Sequence, residues 1–415
     1  MVNLEMIAKI AGYVVLAGYI ALTLLQVWRF FRTSLQVPVK AHCAARGKWW
    51  IPLAAFVASR LFIALVVLIA AAIRSQLNSL FTYFESYINP WDGPHYISLI
   101  ENGYVSEGDD RLFIVFFPLY PMICRALAFT GLSALNRALI VSNLFCCLDA
   151  YLMYQLVLDT GSEKRARLAV FLLMFNPVSF FMSMPYTESV FLATTMAAVL
   201  LARKRKFVGS VIMGALAATA RMVGLAVAAP VFWEMLVARR EKKESLSLKD
   251  VLLCAAKTLP MLLGLVAYLL LNYKLFGNPL QFLEFQRDNW NNEMTLLSET
   301  VRYVLINAIS YPKLYYQIGT WIPETLAIVA TIALAAVTYK RQHPGDAAFL
   351  AIAFYLSVSL AWLLSGVRYI TGLYAIYPML ALLPKRKWGK AALMVIFMIL
   401  LAYMSVIGIN IGYVL

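Results

Sequence analysis

The chain has 415 residues, of which 62% are hydrophobic and only 14% are charged. Soluble domains carry about 25% charged residues, so this composition excludes an ordinary soluble protein. Apolar runs of about 20 residues recur along the whole length and predict a polytopic membrane protein. The formal net charge of +15 does not indicate a nucleic-acid partner, because Lys and Arg cluster in short segments between apolar runs, as orientation signals do.

The first predicted element is a membrane helix over Ile7 to Trp28. No basic segment precedes it and no small-residue cleavage site follows it, so we interpret it as a retained helix rather than a cleaved signal peptide. Five basic residues between Arg29 and Lys48 follow, and they predict that this linker is cytoplasmic. Residues 1–48 are therefore predicted to form an additional helix and basic linker in front of a larger membrane domain, residues 49–415.

The remaining basic clusters set the predicted topology. They lie at residues 164–167, 203–206, 239–243, 340–341 and 385–387. If each cluster is cytoplasmic, the chain between neighbouring clusters must cross the membrane and return. This predicts one helical hairpin over residues 168–202 with its tip at 184–189, and a second over 207–238 with its tip near 219–221.

The predicted total is about twelve spans. Two large loops, residues 74–132 and 276–320, then lie on the outer side. Residues 113–130 contain Pro118 and Pro121, and we expect them to form an interfacial or re-entrant helix in the first loop rather than a full span. Each isolated polar motif falls on the outer side, although no motif was used to set the topology.

The motif WDGPHYISLIENGY, residues 91–104, is a polar island between apolar segments. Its Asp92 precedes Gly93 and Pro94, so it is placed to N-cap a short helix that runs to Asn102. The functional interpretation of Asp92 is a general base at the membrane surface, because a carboxylate can take the proton of an attacking hydroxyl. The two interpretations are compatible, since only one carboxylate oxygen is needed for capping.

His95 lies one helical turn after Asp92 and can face the same side. It can orient a loop, contact a phosphate or a sugar, or bind a metal. No second His or Cys is close in sequence and the five Cys residues show no C-x-x-C spacing, so neither a metal site nor a disulfide framework is expected. Trp91 and Tyr96 can anchor the chain at the membrane interface, and Trp91 can equally stack on a sugar ring.

Three further ionisable residues stand out in apolar surroundings. Glu188 lies at a predicted hairpin tip, where it is either a solvated turn residue that supports the next helix or part of a site. Arg221 and Arg368 have long apolar neighbours, and such groups either reach the interface or face a cavity, where guanidinium groups bind phosphate well. Tyr186 and Tyr369, which belong to the same motifs, complete the candidate substrate-binding residues.

A Gly-Asn-Pro turn at residues 277–279 opens an amphipathic segment. Gln286, Arg287, Trp290 and Asn291 follow at helical spacing and can line a polar groove.

The chain resembles the PIG-V family, the mannosyltransferases of GPI-anchor assembly and their bacterial relatives, which belong to the GT-C class of integral-membrane glycosyltransferases. Six motifs between residues 91 and 378 carry the resemblance, and they occur in the family's order. They are WDGPHYISLIENGY, FFPLYPMICRAL, FNPVSFFMSMPYTES, ATARMVGL, GNPLQFLEFQ and SGVRYITGLYAIYP. The helix before Arg29 and its linker look like an addition to the family core.

The resemblance implies an all-α bundle of GT-C type that moves a sugar, most often mannose, from a polyprenyl- or dolichyl-phosphate donor to an acceptor hydroxyl. Asp92 would be the base, with His95 in the same pocket. Glu188 would lie near the sugar or the acceptor, and Arg221 and Arg368 would meet the lipid phosphate. The donor is a substrate, so no cofactor is expected, and no metal is favoured.

The expected partners are membrane lipids, the lipid-linked donor and an acceptor that is a glycolipid, a glycan or a protein; the oligomeric state stays open. Compact loops favour a bacterial inner membrane with the site facing outside over an endoplasmic reticulum with the site facing the lumen.

The main alternative is a polytopic transporter or lipid flippase, which also uses buried arginines and broken helices. A transporter needs polar groups near the midplane with access from both sides, whereas the predicted topology collects them on one face. A non-catalytic membrane scaffold with the same fold is the third interpretation.

Overall fold

The computed structural model describes residues 2–36, 47–73, 87–243 and 245–410. Within these ranges the chain is helical and forms no β-strand, apart from one isolated bridge between Met294 and Leu360. The predicted all-α class is therefore confirmed. The central part of the basic linker, which includes Cys43, and residues 74–86 of the first predicted outer loop lie outside the described residues.

The helices are named here in chain order. They are α1 (Val2–Gln36), α2 (Trp50–Ile73), α3 (Gly93–Asn102), α4 (Leu119–Ala126), α5 (Ala134–Thr160), α6 (Glu163–Met174), α7 (Glu188–Arg203), α8 (Phe207–Ala220), α9 (Ala228–Arg240), α10 (Leu248–Thr258), α11 (Leu262–Phe276), α12 (Gln281–Trp290), α13 (Leu297–Ser310), α14 (Ile322–Val337), α15 (Pro344–Val358), α16 (Gly366–Thr371), α17 (Ile376–Leu380) and α18 (Lys387–Asn410). Short 3-10 segments join several of them, including Asp109–Val115, Ser179–Ser183 and Met222–Val227, and a π-turn over Gln317–Trp321 precedes α14.

Seven helices of the described residues are long and apolar enough to cross a membrane, or eight if the bent pair at residues 109–130 counts as one span. They support an integral membrane protein. That pair bends by 113°, in keeping with the interfacial or re-entrant element expected there. The expected count of about twelve is not reached by helices of spanning length, because arms such as α6 with 12 residues and α8 with 14 are shorter than the roughly 20 residues that a span needs.

Both predicted helix breaks are present. A 3-10 turn over Ser179–Ser183 separates α6 from α7. The second break follows α8, where Arg221 has extended backbone angles of φ −158° and ψ 143°. The chain then folds back so tightly that a Cβ at Gly224 would collide with the backbone of Ala217. Irregular backbone at membrane depth is tolerated only where it is buried in protein or lines a cavity. These breaks therefore indicate a cavity near the ends of α7 and α8.

The two ends of the helical bundle carry different polar clusters. Arg203, at the end of α7, donates two hydrogen bonds of 2.8 Å to Asp346 at the start of α15, and its Nε lies 3.7 Å from Glu234. Tyr374 also donates to Asp346, at 2.9 Å. Glu188, at the other end of α7, is about 22 Å away along the helix. Arg205 also contacts Glu241, and Asp346 lies a few residues after the cluster at 340–341. The basic clusters at residues 203–206, 239–243 and 340–341 are therefore close to the Arg203 end of α7, opposite the end that holds Glu188.

Helix α1 packs against the membrane domain instead of standing apart from it. A Cβ at Gly12 would collide with the carbonyl oxygen of Ser298 in α13. Arg302 contacts Glu5 at 2.7 Å near one end of α1, and Arg29 donates to the carbonyl oxygen of Gln342 at 2.7 Å near the other. The predicted division at residue 48 therefore marks a sequence boundary and not a gap in the packing.

The buried pair of Arg203 and Asp346 gives a stability prediction. Their side chains are only 1% and 5% exposed, and removing one partner of a buried pair costs about 3–5 kcal/mol. We expect Asp346→Ala to lower the free energy of unfolding in detergent by about that amount. The matched control is Glu163→Ala, which removes a solvent-exposed partner of Arg167 and should change stability little. Equal losses in the two variants would contradict the structural role of the buried pair.

Candidate functional site

A cavity of about 540 Å³ lies where the broken helix ends meet. One wall is charged and carries Asp92, Arg221 and Arg368. The lining also includes Tyr96, Tyr369 and Thr187, apolar side chains such as Phe191 and Met222, and polar side chains of α12 and the residues after it. Those polar side chains are Glu284, Gln286, Arg287, Asn292 and Glu293, with Trp290 among them. A concave, largely apolar cavity with a few convergent polar groups is the usual form of a small-molecule site.

Asp92 occupies the N-cap position of α3, as predicted, but its carboxylate makes no capping hydrogen bond. Its side chain is 30% exposed, and Oδ2 lies 3.6 Å from Nη1 of Arg368. Helix capping therefore does not account for the carboxylate, which lines the cavity beside Arg368.

Glu188 is buried beneath the two arginines. Its Oε1 accepts a hydrogen bond of 2.7 Å from Nη2 of Arg221 and lies 3.3 Å from Nε of Arg368. Arg221 also donates from Nε to the hydroxyl of Thr187 at 3.0 Å. The Glu188 side chain is 4% exposed and does not line the cavity. It therefore holds the two guanidinium groups and is not a solvated turn residue, whereas its contact with the sugar or the acceptor stays a prediction.

Arg368 lines the cavity between two carboxylates. Its side chain is 8% exposed, its Nη1 lies 3.6 Å from Oδ2 of Asp92, and its buried Nε faces Oε1 of Glu188 at 3.3 Å. Burial alone would lower the pKa of Arg368, but Glu188, Tyr369 and Asp92 together raise the pKa above its ordinary value. Arg368 is thus a fixed cation, and planar guanidinium groups suit the oxygens of a phosphate.

Tyr186 connects the acidic and basic parts of the site. Its hydroxyl donates to the carbonyl oxygen of Pro90 at 2.7 Å and accepts from the backbone N–H of Asp92 at 3.0 Å. Between them, Trp91 has a φ of +49°, an uncommon angle for a side chain of this size that costs of order 1–3 kcal/mol. The guanidinium of Arg368 lies 5.3 Å from the Tyr186 ring centroid. Tyr186 therefore fixes the turn that presents Asp92, although it does not line the cavity.

The other predicted site residues divide into two groups. Tyr96 and Tyr369 line the cavity, and the Tyr369 ring lies beneath both guanidinium groups, at 5.8 Å from Arg221 and 5.3 Å from Arg368. Trp91 and His95 do not line it. Trp91 packs against Phe181 with ring centroids 5.5 Å apart.

His95 is one helical turn from Asp92, but its ring packs against Phe113 at 4.4 Å and Phe116 at 5.8 Å. The expectation that it shares the pocket does not match its position. Within the described residues no group of three or more His, Cys, Asp and Glu side chains could hold a metal ion.

Sequence reasoning missed two residues that support the site, Thr187 and Glu324. Thr187 follows Tyr186 directly, and its ordinary polarity gave no signal. Glu324 did offer a signal, because it is an acidic residue close to the start of an apolar span, where ionisable groups usually have a function. Of the four residues predicted to line a polar groove, Gln286, Arg287 and Trp290 line the cavity, and Asn292 lines it where Asn291 was expected.

A protein-family model described as Mannosyltransferase (PIG-V) matches residues 57–286. The match covers more than half of the chain and includes Asp92, Tyr186, Glu188 and Arg221. It begins after α1 and ends within α12. No curated protein matches the chain.

The contact between Glu188 and Arg368 can be measured by a double-mutant cycle. Glu188→Gln should lower the free energy of unfolding by about 3 kcal/mol, because two arginines then share a buried site without their carboxylate. In an Arg368→Gln background the same change should cost less, with a coupling energy of about 1–3 kcal/mol. Additive losses in thermal or chemical unfolding would show that Glu188 and Arg368 do not depend on each other.

Proposed function

Because the chain belongs to the PIG-V mannosyltransferase family, we propose that it moves a sugar, most simply mannose, from a polyprenyl- or dolichyl-phosphate donor to an acceptor hydroxyl. The observation that carries the proposal is the charged wall of the cavity. Two arginines on one buried carboxylate stand beside Asp92, which makes no capping hydrogen bond.

The arginines are the proposed phosphate site. Arg221 and Arg368 reach the cavity from different breaks in the chain, and both line it. The guanidinium groups would bind the donor phosphate and stabilise the second negative charge that it gains as it leaves. Fixed cations placed where charge develops are among the largest contributions to enzyme catalysis.

Asp92 is the proposed general base. The acceptor hydroxyl would give its proton to the Asp92 carboxylate while its oxygen bonds to the anomeric carbon. The bond from that carbon to the phosphate oxygen would break, and its electron pair would stay with the phosphate. Phosphate is a good leaving group, so one carboxylate is enough, and a single displacement inverts the anomeric configuration. Base catalysis would accelerate the reaction by about 10²–10⁴-fold, and positioning of the substrates would supply the remaining acceleration.

The lipid-phosphate sugar is a substrate in this scheme, and no cofactor takes part. We propose that the cavity faces the outer or luminal side, because the basic clusters at residues 203–206, 239–243 and 340–341 lie near the opposite end of α7 and such clusters favour the cytoplasm. A bacterial inner membrane and a fold of GT-C type with further crossings by the short helices are part of the proposal.

A transporter or flippase is the less favoured alternative. It would need a polar path that reaches both ends of the bundle. The cavity polar groups lie at the Glu188 end, whereas at the Arg203 end the buried arginine is paired with Asp346 by two hydrogen bonds.

A transfer assay tests the proposal. Purified protein in nanodiscs receives radiolabelled polyprenyl-phosphate mannose and a membrane lipid extract. We expect wild type to form a labelled product and Asp92→Asn to lose at least about a hundredfold in rate while it still binds the donor. Glu101→Gln, which changes an exposed acid of α3, is the control and should keep its activity. Full activity of Asp92→Asn would refute the base assignment.

The same assay tests the hydroxyl of Tyr186. Tyr186→Phe removes both hydrogen bonds around Trp91 but keeps the ring beneath Arg368. We expect about a tenfold lower kcat, from loss of alignment of Asp92, with little change in the KM for the donor. Tyr120→Phe is a matched control, since it removes a buried hydroxyl that bonds to Ser142 and Ala138. A kcat equally low in that control would count against a specific role for Tyr186.

A further inference from the structure

The helix that carries Arg368 is too short to hold itself in place. Helix α16 has six residues, Gly366–Thr371, and it brings both Arg368 and Tyr369 to the cavity. The residue at its N-cap, Ser365, makes no side-chain capping hydrogen bond. Isolated short helices are marginal because nucleation is costly, so the position of α16 must depend on contacts with other parts of the chain.

One such contact comes from Glu324, near the start of α14. Its Oε1 accepts a hydrogen bond of 3.0 Å from the backbone N–H of Gly366, 42 residues away in sequence. Gly366 leaves no room for a side chain there, because a Cβ would lie 2.8 Å from a methyl group of Leu363 and 3.5 Å from the Glu324 carboxyl carbon. Glu324 thus replaces the local cap that Ser365 does not provide.

The location makes this carboxyl group costly. Glu324 is fully buried, and its second oxygen, Oε2, has no hydrogen-bond partner among the described residues. It belongs to the candidate span Leu314–Val337, where a buried acidic group is expensive. An apolar residue would be less costly at this position, so the hydrogen bond to Gly366 is what offsets the cost of burying the carboxyl group.

We propose that Glu324 is a positioning residue that holds α16 in register and thereby sets the guanidinium of Arg368 in the cavity. The proposal rests on the proposed function for its link to the donor phosphate. Glu324 acts on Arg368 through α16. Without the carboxyl oxygen, the Gly366 N–H is buried without an acceptor, so the first turn of α16 becomes less stable. Arg368 then moves away from Glu188 and Asp92. Donor binding should suffer more than the chemical step, because Asp92 is held separately by Tyr186.

Three variants separate positioning from a general loss of structure. Glu324→Ala removes the acceptor, whereas Glu324→Gln keeps an oxygen that can accept from Gly366. Asp149→Ala is the matched control, since Asp149 is also a fully buried carboxyl group of a span. Both of its carboxylate oxygens lack hydrogen-bond partners among the described residues, so it does not hold α16 as Glu324 does.

Two measurements on the full chain in nanodiscs decide the matter. The first is amide hydrogen exchange over residues 366–372, which does not depend on any activity. The second is binding of polyprenyl-phosphate mannose. We expect Glu324→Ala to raise exchange in this segment and to weaken donor binding about tenfold, while Glu324→Gln and Asp149→Ala stay close to wild type in both.

The proposal is overturned if Glu324→Ala exchanges and binds as wild type does, if Glu324→Gln is as impaired as Glu324→Ala, or if Asp149→Ala shows the same changes. Failure of wild type to bind the donor or to transfer mannose would instead contradict the proposed function and the donor part of this inference. The exchange result would still decide whether Glu324 holds α16.

Discussion

The site depends on one buried carboxylate that is shared by two arginines. Oε1 of Glu188 contacts both Arg221 and Arg368 at 2.7 and 3.3 Å, and these three residues come from the start of α7, the break after α8 and the short helix α16. Without the carboxylate, two cations at this depth would repel each other and face a large desolvation cost. With it, they are fixed side by side and still face the cavity with capacity to bind an anion.

The surrounding backbone is irregular because the site is assembled from interrupted helices. Trp91 takes a positive φ, Arg221 is extended, and α16 has only six residues. Each irregularity is stabilised by a side chain from elsewhere. Tyr186 bridges the peptide groups on both sides of Trp91, and the Glu324 carboxyl holds the start of α16. Preorganisation of this kind is what a site needs if fixed charges are to meet a reacting group.

The sequence predicted the charged residues that line the cavity better than the residues that support them. Asp92, Arg221 and Arg368 stood out because an ionisable group in an apolar chain is rare and costly. The role of Glu188 beneath the arginines could not be predicted, because its partners lie 33 and 180 residues away. Helical spacing placed His95 near Asp92, but spacing does not say which way a ring turns, and the neighbouring Phe113 and Phe116 decide that. The number of spans could not be predicted from the sequence either. A helix shorter than the bilayer can cross it or enter it only partly, and the packing that decides between these is not visible in the sequence.

The most direct test of the account is a structure of the protein in nanodiscs with a non-transferable polyprenyl-phosphate mannose analogue, determined by electron cryomicroscopy. We expect the donor phosphate to lie within hydrogen-bonding distance of Arg221 and Arg368. We also expect the anomeric carbon to have its free face toward Asp92, with room between them for an acceptor hydroxyl. A phosphate bound away from both arginines, or a sugar that turns its anomeric carbon away from Asp92, would contradict the proposed roles of these residues.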